Sequence, residues 1–173
     1  MARLLRPVLK FLEYYNDLDL LDKFTPTVLE DRSFEGAIVA VLRDHFDKWA
    51  TTALREEQGV QNANRGWAGR YQFFVMVDQE TLESVLRAPD DDKDTGFVRL
   101  VQAGWAPEEL DEDELRERNG AEPEKEPLEG CTKHDVGWMN VRYRDVEVSF
   151  VHMTDSNHWD IYYSRAPESQ KLW

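Results

Sequence analysis

The segment Tyr71-Gln-Phe-Phe-Val-Met-Val-Asp-Gln-Glu-Thr-Leu-Glu-Ser-Val-Leu86 decides the fold. Its first seven residues, 71–77, are dense in aromatic and β-branched side chains, the composition of a half-buried strand. Asp78 then offers a side-chain acceptor for the first free N–H groups of a short helix over residues 80–86. Upstream of this strand–helix unit the apolar residues recur at helical spacing. Leu4, Val8, Phe11, Leu12 and Tyr15 form one stripe. A second stripe, Ile38, Val41, Leu42, His45, Phe46, Trp49 and Ala53, predicts a helix that starts after Ser33 and runs to about residue 57, with His45 in or beside the core. Residues 37–42 also fit a short buried strand, because a brief apolar run satisfies both periods.

Downstream, strand patterns dominate: residues 97–101, 136–143, 146–153 and 160–163. Over residues 146–153, Val146, Val148, Phe150 and His152 share one face of an extended chain. Helices followed mainly by strands predict an α+β fold, with N-terminal helices packed on one face of a small, mainly antiparallel sheet.

A chain of 173 residues is about one domain long, so residues 1–173 are expected to form a single domain. At that size roughly 70% of the unfolded surface is buried. With 41% apolar residues and 12% aromatic ones, a core can form without metal or disulfide, and no cofactor is expected. Cys131 is the lone cysteine, which suits a reducing compartment such as the cytoplasm or nucleus better than secretion. The start of the chain is basic and acid-free until Glu13, as in a mitochondrial transit helix, but it lacks serine and carries Pro7. An ordinary first helix and no secretion signal are the expectation. No run of 18 apolar residues occurs, so no membrane-spanning helix is expected.

The formal net charge is −14. Nucleic acids and anionic membrane surfaces bind through Lys and Arg, and the overall field here opposes both. A protein or basic peptide is the compatible partner. Eleven acids fall in residues 107–129 against Arg116, Arg118 and Lys125, a net of −8 and more than half of the total imbalance. Asn119-Gly120, Pro123 and Pro127 interrupt the stretch. It reads as an exposed acidic loop inserted between core segments, with an acidic docking arm as the functional alternative. Residues 89–96 read as a second, smaller connection.

Three groups of residues could carry chemistry. His152, Asp155, His158 and Asp160 would supply two imidazoles and two carboxylates to a divalent metal if a turn gathered them, although their spacing matches no specific metal motif. Turn and strand-end roles account for the same residues. Cys131 and His134 place a thiol and an imidazole close in sequence, the parts of a nucleophilic pair, beside Asp135. Capping by Thr132 and Asp135 is the plainer use of that segment. Of six tryptophans, Trp67, Trp105 and Trp173 lie where exposure is expected, and exposed rings among carboxylates can accept a cation. No glycine pattern for phosphate binding and no nucleophile elbow is present.

Pro127-Leu-Glu-Gly-Cys-Thr-Lys-His-Asp-Val-Gly-Trp-Met-Asn-Val141, followed by Trp159-Asp-Ile-Tyr-Tyr-Ser-Arg165-Ala-Pro167, resembles a group of small uncharacterised proteins of filamentous fungi. The shared features are a Gly…Asp-Val-Gly-Trp-Met block and a closing Trp…Tyr…Arg-Pro-Pro, from which this chain departs at Ala166. The resemblance implies no activity; it implies that the carboxyl end belongs to the fold. Two functions remain on these grounds. The first is a non-enzymatic binding module with a basic or neutral partner. The other is a small metal- or cysteine-dependent enzyme using one of the two clusters above.

Overall fold

The computed structural model describes residues 9–10, 12–16, 18–19, 26–59, 68–88, 96–107, 125–146 and 156–170. The fold is α+β. Helix α1 (Val39–Gln58) precedes strand β1 (Phe73–Met76), helix α2 (Gln79–Arg87), strands β2 (Phe97–Gln102) and β3 (Trp138–Arg142), helix α3 (Ser156–Tyr162) and the short strand β4 (Ser169–Gln170). The strands form one sheet in the order β1-β2-β3-β4, antiparallel except for the parallel β3–β4 pair. Among the described residues no helix is long and apolar enough to cross a membrane.

Register assigns the sheet's two faces, because cross-strand partners point the same way and successive residues alternate. Val75, Leu100 and Met139 lie in one row, and Phe74, Val101 and Trp138 in the next. The first face buries Phe73, Leu100, Met139 and Val141 against Trp159 of α3, while Val98 packs with Val85 of α2. The opposite face carries α1: Val39 packs with Val101, Val136 and Trp138, and the Phe46 ring stacks on Phe74 at 4.9 Å. Helices therefore cover both faces of the sheet, not one.

The strand–helix unit forms as its sequence indicates. Asp78 Oδ1 accepts from Thr81 N at 2.9 Å, and Thr81 Oγ1 accepts from Asp78 N at 2.8 Å, a reciprocal cap on α2. Gly96 lets β2 run against this helix, since a Cβ there would lie 2.3 Å from Val85 N.

Two elements differ from their patterns. Asp31, not Ser33, acts as a cap: its carboxylate accepts from Ser33 N at 2.7 Å and closes a 3-10 turn at Arg32–Phe34. Gly36, with φ +70°, turns the chain, and α1 begins only at Val39, so residues 39–42 are helical. Its buried stripe is Val39, Phe46, Ala50, Ala53 and Leu54. Ile38 and Val41 are half exposed, and exposed His45 sets its ring edge-on to Phe34. The second difference is α3, which stands where residues 160–163 suggested a strand. Helical spacing brings Trp159 and Tyr163 to one side, with ring centroids 5.5 Å apart, so the large indole can reach the sheet. Of the first apolar stripe, Leu12 is buried and Tyr15 exposed, both in a helical segment at residues 12–15. Val146 is buried beside Val98 and Tyr143. The strand expected over 147–153, the connection at 89–95 and the acidic stretch 108–124 lie outside the described residues.

Candidate functional site

Residues 125–137 approach the start of α1. Leu128 and Cys131 exchange backbone hydrogen bonds of 3.0 and 2.9 Å around Glu129 and Gly130, both at positive φ (49° and 84°). This is a two-residue hairpin turn, at which Asn or Asp usually precedes Gly. A glutamate held left-handed is strained by roughly 1–2 kcal/mol. Its carboxylate accepts Val39 N–H at 3.0 and 3.3 Å, capping α1 from 90 residues away.

Arg43, one turn further along α1, reaches across to the sheet. Its Nε donates to Gln102 O at 3.0 Å, and its Nη2 donates to Val136 O and Gly137 O at 3.1 and 2.9 Å. The guanidinium lies 4.8 Å from the centre of the Trp105 ring. Burial lowers its pKa below the usual arginine value, opposed by the nearby Glu129 and Asp135 carboxylates. Gly137 makes this approach possible: it has φ +71°, and a Cβ would stand 2.3 Å from both Arg43 Nη2 and Trp105 Cγ.

A second arginine fastens the loop from behind. Buried Arg165 donates through Nη2 to Glu126 O at 2.6 Å and Cys131 O at 3.0 Å, and through Nη1 to His134 O at 3.2 Å and to Lys133 O. Asp135 accepts from Gly137 N at 2.6 Å and from the Trp159 indole at 2.9 Å. The Tyr163 hydroxyl donates to His134 O at 2.9 Å and accepts from Val136 N at 3.1 Å. Burial drives the Tyr163 pKa up to about 12.

Between this loop and α1 lies a cleft of about 400 Å³, walled by Ile38, Arg43, Trp105, Leu128, Cys131 and Trp138 among others. It contains two candidates from the sequence, Cys131 and Trp105. Trp105 is half-buried, and the face expected to greet an outside cation is held by Arg43; Trp49 and Trp138 are likewise covered by Arg70 and Arg99. Cys131 packs toward Val39, Val101 and Trp138, whereas exposed His134 sets its ring against Tyr163 at 5.3 Å, outside the residues that line the cleft. His158 and Asp160 both lie on α3, where a separation of two residues turns side chains away from each other. His152, Asp155, Trp67 and Trp173 lie outside the described residues. Among the described residues no three His, Cys, Asp or Glu side chains gather at one point.

No known protein family, curated protein or solved structure matches this chain. The site therefore has to be read from its own chemistry. Arg43, Glu129 and Gly137, which shape it, were missed in the sequence reading. Arg43 did leave a signal: it follows Val39 by four residues and precedes Phe46 by three, a charge within a buried stripe. Glu129 left none, since its partner is remote in sequence. A broader depression along Asp44, Asp47, Lys48, Thr51 and Thr52 is formed by one helix alone.

Proposed function

We propose that this protein is a non-enzymatic binding module for a basic or neutral partner, working without a cofactor, and that the cleft at the start of α1 is its contact. The observation that carries the reading is the state of the cleft's polar groups. Arg43 is turned onto three backbone carbonyls and Glu129 onto Val39 N–H, while Ile38, half exposed, stands at the mouth. An apolar side chain can enter without stripping a charge of its partners. Seating one such side chain contributes about 1.5–3 kcal/mol, enough to anchor a modest contact.

The test compares partners captured by the wild-type chain, by Ile38→Asp at the mouth and by Leu82→Asp, an exposed apolar residue on α2, with circular dichroism confirming that all three fold. A partner retained by Leu82→Asp and lost by Ile38→Asp is expected. Equal capture by the two variants, or no partner for the wild type, would remove the proposal.

A further inference from the structure

Away from the cleft, two enclosed polar atoms of opposite kind meet on the sheet. Asn140 of β3 is 5% exposed, and no protein group donates to its buried Oδ1. Arg99 stands opposite it in β2, with an Nε–H that is equally enclosed and finds no protein acceptor. The ladder brings the two side chains together. Gln102 N donates to Gly137 O and Tyr143 N to Gly96 O, so Val98–Val141 and Leu100–Met139 are the pairs that exchange backbone hydrogen bonds. Arg99–Asn140 is the pair between them, of the kind whose Cα atoms approach to about 4.5 Å and whose side chains stand nearest. Yet Nε cannot turn onto Oδ1 freely. Arg99 Nη1 donates to Asp78 Oδ2 at 2.5 Å and Nη2 to Glu80 Oε2 at 2.7 Å, and the guanidinium lies 4.9 Å from the centre of the Trp138 ring. Movement toward Asn140 would loosen a carboxylate contact.

An enclosed donor and an enclosed acceptor each bear the full cost of lost hydration unless something pairs them. An anion would satisfy Nε–H and repel Oδ1, and a cation would do the reverse. The group required accepts once, donates once and is small enough to be enclosed between two side chains. Water meets all three conditions. We infer that Arg99 and Asn140 hold one internal water, which accepts from Arg99 Nε–H and donates to Asn140 Oδ1. The site is independent of the cleft. It completes a polar link from Asp78, the cap of α2, through Arg99 of β2 to Asn140 of β3.

A high-resolution crystal structure of the full chain is the first test. Expected is a single water within about 3.2 Å of both Arg99 Nε and Asn140 Oδ1. The second test is a water-selective ROESY spectrum in solution. There the Arg99 Nε–H should show a through-space contact with water, opposite in sign to the diagonal, which proton exchange does not produce. Asn140→Leu keeps the bulk of the side chain and removes the acceptor, so the contact should vanish in that variant while backbone shifts away from the site are retained. A direct Nε–Oδ1 bond, no water between the two atoms, no through-space contact in the wild type, or a contact that persists in Asn140→Leu would each overturn the inference. Where Asn140→Leu does not fold, the crystal structure and the wild-type spectrum decide the matter by themselves.

Discussion

Replacing Arg43 by methionine and, separately, by lysine separates charge from geometry at the cleft. Arg43 makes three charge-assisted hydrogen bonds to backbone carbonyls. Gly137 O keeps the Gln102 N–H at 3.0 Å as a second donor, so the loss falls mainly on Gln102 O and Val136 O. Each bond from a charged donor contributes about 1.5–3 kcal/mol, and the lower end applies because the site is only partly buried. Loss of the stack on Trp105 removes about another 0.5–1 kcal/mol. Arg43→Met should therefore cost about 3–4 kcal/mol, which for a chain of this length lowers Tm by about 6–16 °C. Lysine keeps the charge but cannot fork across separate carbonyls or lie flat on an indole, so Arg43→Lys should fall within about 1 kcal/mol of the methionine variant. Thermal melts followed by far-ultraviolet circular dichroism read both numbers, and near-ultraviolet bands report the tryptophan environment. An Arg43→Lys protein melting within about 2 °C of wild type would refute the argument, because a point charge would then suffice.

Other outcomes follow from single contacts. Gly96→Ala should lower stability by about 1–3 kcal/mol in urea titrations, since its Cβ would meet α2 backbone at 2.3–2.4 Å and neither element can yield cheaply. A change below about 0.5 kcal/mol would show that β2 and α2 are not so close. Tyr163→Phe should cost about 1–2 kcal/mol at neutral pH by releasing Val136 N–H and His134 O. Because burial raises the Tyr163 pKa to about 12, its neutral form stabilises the fold fully below the ordinary tyrosine value near 10, and that contribution disappears as pH rises through about 12. The stability gap between wild type and Tyr163→Phe should close over that alkaline window; a gap that stays constant counts against the buried phenol. Glu57 has its carboxyl pKa depressed by the hydrogen bond from Arg70 and then by that from Tyr71. It stabilises the fold above the ordinary carboxylate pKa, and the effect is lost as pH falls through the lower folded value. Urea midpoints for wild type and Glu57→Gln should therefore converge on acidification. As Glu57 is a largely solvent-exposed partner, the gap should also shrink in salt.

The candidate site was only partly legible before folding. Cys131 and Trp105 drew notice for their residue types, and the cleft does contain them, though for packing reasons that residue type does not convey. Arg165 binds the carbonyls of both Cys131 and His134, while the Cys131 side chain packs among apolar residues and the His134 ring lies against Tyr163. Arg43 could have been suspected from its place in a buried stripe, but its three acceptors lie 59 to 94 residues away.

Short-range pattern was enough for the strand–helix–strand unit from Phe73 to Gln102, for the α+β class and for the charge imbalance. Each depends on alternation, a nearby cap or a residue count, and none requires knowing what else is close. The start of α1, the helical state of residues 156–162 and the cleft needed the packed molecule. Val39 N–H is satisfied by Glu129, the Trp159 indole on its helix meets both the sheet and Asp135, and the cleft exists between segments some 90 residues apart. Hydrogen bonds and burial act through space, so a periodicity confined to neighbouring residues carries no trace of them.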